Sequence, residues 1–180
     1  MVTQPHEILD FWREAGPKKW WKKDAAFDAE IKERFETAIG DGASGKFQDW
    51  ENEPDTALAL IILLDQFPRN IYRDDARAFA QDAACLKVTK RAMANGFDRK
   101  MPDDIGVFCY LPLMHSENLD DQEQCIVEMQ RLKLSDNEKF AIIHRDIIRD
   151  FGRFPHRNAV LGRDTTPEEQ AFLDAGGFAG

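Results

Sequence analysis

The sequence predicts an all-α fold on three observations. No stretch alternates apolar and polar residues over the length of a strand, apolar positions recur at spacings of three and four, and Pro, Gly and Asn punctuate the chain at helix-length intervals. Pro5 fits a first helical turn, and that helix stops near Gly16-Pro17. Phe27, Ile31, Phe35 and Ile39 repeat every four residues after an Asp24 cap, and Gly40 offers a left-handed stop. Pro54 opens a helix through the apolar run Ala57 to Leu64, which Pro68 is expected to end. Asp82 caps a helix closing at Asn95-Gly96, Pro102 opens another that Pro112 bends or ends, and a helix from about Leu119 to Leu132 follows. Ser135 with Glu138 and Thr166 with Glu169 have capping-box spacing and start the last two helices.

These seven or eight helices have short connectors and no low-complexity tract, so residues 1–180 read as a single all-α domain of antiparallel hairpins, stacked as a compact bundle or a right-handed solenoid. The longest apolar run has eight residues, short of the ~20 that span a bilayer. The N-terminus has no signal-peptide pattern, and the chain reads as cytoplasmic. Cys85, Cys109 and Cys125 have no metal or redox spacing and are expected as buried free thiols. A net charge of −9 disfavours a nucleic-acid partner, whose phosphates demand a basic surface. Residues 139–163 nevertheless carry six bases and two acids, a local +4 that suits a small anionic ligand or an acidic peptide. No cofactor is implied. Lys18-Lys19-Trp20-Trp21-Lys22-Lys23 resembles an aromatic and basic binding strip, but reads better as a connector with inward indoles and solvated lysines.

Phe-Pro followed by Arg-Asn occurs twice, in Asp65-Gln66-Phe67-Pro68-Arg69-Asn70 and in Arg153-Phe154-Pro155-His156-Arg157-Asn158, each after a long apolar helix. Such turns are structural when Phe plugs the core and Arg and Asn satisfy helix ends. They are binding sites when the planar forks of Arg69, Arg73, Arg157 and Arg163 meet carboxylate or phosphate oxygens. His115-Ser116-Glu117 is expected at a helix end or loop, where His115 suits an acid, base or ligand. Ser116 lacks a nucleophile-elbow context.

On the helix from Ser135, Phe140, Ile143, His144, Ile147, Ile148 and Phe151 share one broad face, so His144 points at the core, with Glu117 or Asp65 as its expected carboxylate partner. Asp146 points elsewhere, which argues against a local zinc site, and the spacing of His115, Glu117, His144 and His156 matches no metal signature. His144-Arg145-Asp146 and Asp150-Phe151-Gly152 spell two kinase motifs but lie on one helix, without a glycine-rich loop.

The segments LDQFPRNIYR (64–73), YLPLMHSENLDDQE (110–123), HRDIIRDFGRFPHRN (144–158) and LGRDTTPEE (161–169) together resemble a bacterial family known as domain of unknown function 924, nearly end to end. The resemblance implies an all-α, tetratricopeptide-like superhelix and transfers no catalytic residue. Asp82-Ala83 stands where the family pattern leads one to expect Asp-Pro. The residues themselves support a polar pocket of Asp65, Arg69, Asn70, Arg73, His115, Glu117, His144, Arg153, His156, Arg157 and Asn158 that binds an anionic small molecule or an acidic peptide. The alternatives are a hydrolase or lyase using His115, Glu117 and His144, with or without metal, and purely structural motifs.

Overall fold

The computed structural model describes residues 2–178 as helices and turns, with no strand among them. The helices are α1 (Pro5–Ala15), α2 (Pro17–Trp20), α3 (Ala25–Ala43), α4 (Pro54–Ile61), α5 (Phe67–Ile71), α6 (Asp82–Ala94), α7 (Leu111–Met114), α8 (Leu119–Leu132), α9 (Ser135–Phe151) and α10 (Pro167–Asp174). They form two compact units, one up to Pro112 and one from Leu113. No described helix is long and apolar enough to cross a membrane.

The first unit is organised around α4 and the turn that continues it, whose apolar run from Ala57 to Leu64 is buried throughout. Phe11, Trp12, Phe27, Phe35, Phe67 and Phe108 close the core as an aromatic cluster, with ring centroids 5.1 Å apart for Phe11 and Phe35 and 4.9 Å for Phe35 and Phe67. Asp24 caps α3 by accepting from the amides of Ala26 and Phe27, as its position requires. The helix does not stop at Gly40 but runs to Ala43. Gly42 lets it lie against Leu60, Leu63 and Leu64, where a Cβ would come within 3.2 Å of Leu64 Cδ2.

Three other expectations in this unit are corrected. Pro68 does not end the helix. Lacking an amide to give to the Leu64 carbonyl, it sits in the first turn of α5, and residues Ile62–Gln66 widen into a π-helical turn in which the Phe67 amide reaches the Ile62 carbonyl. Gln81, not Asp82, precedes α6, and Asp82 lies in its first turn. Pro102 opens only turns, leading to a 3-10 stretch at Gly106–Tyr110.

The second unit is built on the α8–α9 hairpin. Asn118 caps α8 through the amides of Asp120 and Asp121, and Lys133 closes it in the left-handed region at φ 57°. Antiparallel register follows from Gln130 donating to Glu138 at 2.9 Å and Arg145 to Glu123 at 2.8 Å. Glu138 therefore serves the hairpin and not the expected capping box, and Leu134 occupies the cap position without a side-chain bond. The apolar face of α9 is narrower than expected: Ile147 and Ile148 are buried, while Phe140 is 52% and Ile143 43% exposed. Gly152 ends α9 at φ 71°, Phe154 plugs the core formed with Ile147 and Ile148, and Thr166 with Glu169 makes the expected capping box of α10.

Candidate functional site

The first Phe-Pro turn places Asp65 at 0% exposure on the π-helical turn, where leaving its charge uncompensated would be costly. Arg69, one helical turn later, compensates it. Its Nη1 donates to the Asp65 carbonyl at 2.9 Å and lies 3.1 Å from the carboxylate, and its Nη2 donates to Asp82 at 2.9 Å. Gln66 Nε2 also donates to Asp65. Burial acts against the Arg69 charge, but Asp65 and Asp82 outweigh it and raise its pKa. Asn70 and Arg73 turn instead to α3. Asn70 Nδ2 donates to Asp28 at 2.8 Å, and Arg73 grips both oxygens of Asp28 at 2.8 and 3.1 Å. Cys85 lies in the same region, and burial pushes its thiol well above its usual range, the opposite of what a nucleophile needs.

In the second unit, Glu117 is the hub. Arg163 donates to it three times, at 2.8 to 3.1 Å, and the Phe154 amide adds a bond at 2.8 Å. Burial works to raise the Glu117 pKa, and the Arg163 bonds outweigh it, so the carboxyl stays below its ordinary range. Arg163 also donates to Asn158 Oδ1 and the Phe154 carbonyl. Arg153 forms a bidentate pair with Glu169 at 2.6 and 2.8 Å, and Asn158 and the Thr166 amide donate to the same carboxylate. The Arg153 hydrogen bond is the chief cause that holds Glu169 down at about 2. Arg157 lies over the Phe154 ring at 4.3 Å and donates to the His115 carbonyl.

His144 is buried, as its helical phase predicts. Its Nδ1 is 2.7 Å from the Phe140 carbonyl, so that nitrogen carries the proton, and its ring packs against Phe154 and Phe178. His156 contacts the same two rings. Nδ1 thus donates to backbone within the same helix, and Glu117 is bound by Arg163. Ser116 donates to Asp121 at 2.7 Å and accepts from the Asn118 amide, the work of a residue at a helix start.

The sequence-predicted residues therefore fall into two groups, Asp65, Arg69, Asn70 and Arg73 in the first unit and His115, Glu117, His144, Arg153, His156, Arg157 and Asn158 in the second. Sequence reasoning missed the carboxylates that complete them, Asp28, Asp82 and Glu169, because their long-range pairing leaves no local spacing. A surface groove of about 470 Å³ beside Arg153 is bordered by Asp150, Glu168 and Glu169, a balance unsuited to anions. Among the described residues no group of three His, Cys, Asp or Glu side chains could hold a metal ion. All three cysteines are buried, and none forms a disulfide among the described residues.

The family model for a bacterial protein of unknown function (DUF924) matches residues 8–177. A solved structure of a protein of unknown function from Agrobacterium tumefaciens, ATU0120, is 41% identical, with 95% of this chain and 97% of that one covered and a TM-score of 0.91. No curated protein matches the sequence.

Proposed function

Because the chain belongs to the bacterial family of unknown function DUF924, we propose a function from its own residues: a helical interaction module in which the Phe-Pro turns fasten the fold and binding falls to the helix surfaces. One observation carries this reading. Arg69, Arg73, Arg153 and Arg163 each meet a carboxylate of the same unit. A ligand anion at these guanidinium groups would have to displace that partner, and for the wholly buried Asp65 the loss of its arginine costs about 3–5 kcal/mol.

The second reading is an anionic small molecule or acidic peptide held by the same motif residues. It draws on the repeated turns and the +4 charge of residues 139–163. It requires Asp28, Asp65, Glu117 or Glu169 to give way. A hydrolase or lyase using His115, Glu117 and His144 requires Glu117 to leave Arg163 and work as a base against its lowered pKa.

Titration calorimetry with phosphorylated and carboxylated metabolites, on wild type and on Arg69→Ala and Arg163→Ala, tests the choice. The fastener reading expects no binding heat and a loss of stability in both variants. Micromolar binding abolished by either substitution in a folded protein would favour the pocket instead.

A further inference from the structure

We propose that Trp21 with Lys18, Lys22 and Lys23 is a docking patch for an acidic segment of a partner protein. This rests on the reading of the chain as an interaction module and gives that module its partner chemistry. Lys18-Lys19-Trp20-Trp21-Lys22-Lys23 holds four of the 24 basic residues, which leaves 20 bases against 33 acids elsewhere, a balance of −13.

The two indoles have different roles. Trp20 is turned inward, donating from Nε1 to the Trp12 carbonyl at 2.7 Å and stacking on Trp12. Trp21 is 52% exposed while it lies parallel to Phe108 at 5.4 Å, so one face is held and the other meets solvent. Lys19 stands over the Phe27 ring. Lys18, Lys22 and Lys23 are exposed and make no ion pair with any described residue, in contrast to the arginines of the Phe-Pro turns. Of the nearby carboxylates, Asp24 is engaged in capping α3 and Glu14 is exposed.

A fixed aromatic ring loses little freedom on binding, and tryptophan is enriched among the contacts that dominate interfaces. The flanking ammonium groups add steering and select for negative charge. The rest of the surface decides which anion fits. Charges more than ~8 Å away are screened at physiological ionic strength, so a short acidic segment meets the patch alone. A membrane plane or a nucleic-acid strand extends past the patch to other parts of a chain whose remaining residues sum to −13, and one exposed ring does not make the stacking track that single strands use. The fitting partner is a segment with Asp or Glu on both sides of an apolar residue that covers Trp21.

Fluorescence anisotropy with a labelled Glu-Glu-Glu-Leu-Phe-Glu-Glu-Glu peptide tests this against its Gln-for-Glu counterpart, against phosphatidylcholine vesicles containing phosphatidylserine, and against a short oligouridylate. The acidic peptide should bind and the neutral one should not. The combined Lys18→Gln, Lys22→Gln and Lys23→Gln variant should weaken binding about tenfold with a wild-type melting curve, and Trp21→Ala, which also gives up its packing on Phe108, should weaken it separately while still melting cooperatively. The proposal is overturned if the acidic peptide does not bind, if the variants bind it as wild type does, or if vesicles or RNA bind more tightly. Melting of the arginine variants reports on the fastener reading alone, so the two failures are distinguishable.

Discussion

The Phe67-Pro68 and Phe154-Pro155 turns share their letters and differ in backbone. In the first, the chain stays helical through a π turn and carries Pro68 within α5. In the second, Gly152 takes φ 71°, ends α9, and leaves Pro155 to start a single 3-10 turn. The residue two places before Phe decides: Asp65 continues the helix, whereas Gly152 adopts the left-handed conformation that favours glycine. The charges differ as well. The two arginines are similarly exposed, 19% for Arg69 and 23% for Arg163, but the Asp65 side chain is wholly buried while that of Glu117 keeps 30% exposure. A motif repeated in sequence thus buries a Phe twice and sets an arginine over a different ring each time, Arg69 over Phe79 and Arg157 over Phe154, on two backbone geometries.

Substitutions can sharpen that contrast. Arg69→Ala should have the largest effect, about 3–5 kcal/mol in a denaturant melt, because Asp65 is left charged in the core. Arg163→Ala should cost less, about 1–3 kcal/mol, since solvent reaches Glu117. Equal losses would erase the difference in burial between the turns. His144→Ala should lose about 1–3 kcal/mol through the vacated volume and the orphaned Phe140 carbonyl, and a midpoint equal to wild type would contradict its burial. Gly152→Ala should cost about 1–2 kcal/mol from the left-handed backbone, whereas Asp65 holds a helical position with no such penalty.

The smallest effect is one of pH. Arg153 holds the Glu169 carboxyl at about 2, below its ordinary 4.5. The unfolded chain therefore takes up this proton more readily than the folded one. The stability that Glu169 contributes is complete above pH 4.5 and is lost as pH falls through 2. Melts of wild type and Glu169→Gln should converge over that range, and a constant gap would place the effect elsewhere.

The helices were largely legible because their signals are local. Pro5, Asp24, Pro54 and the Thr166–Glu169 box work within one turn and stand where the sequence puts them. Local reasoning failed where a distant group competed. Glu138 left its capping box for Gln130, and Pro68 was absorbed by a widened turn within a fully buried run. The arginines of the site were visible as a repeat. Their partners were not: Asp28 lies 45 positions from Arg73 and Glu117 lies 46 from Arg163, separations that no helical period encodes.

The central claim, that the motif arginines fasten the chain's own carboxylates, is tested most directly by a double-mutant cycle on Glu117 and Arg163. Denaturant melts of wild type, Glu117→Ala, Arg163→Ala and the double variant yield their coupling energy. The fastener account predicts a favourable coupling of about 1–3 kcal/mol, with the double variant much less destabilised than the sum of the singles. Additive losses, with coupling near zero, would contradict it.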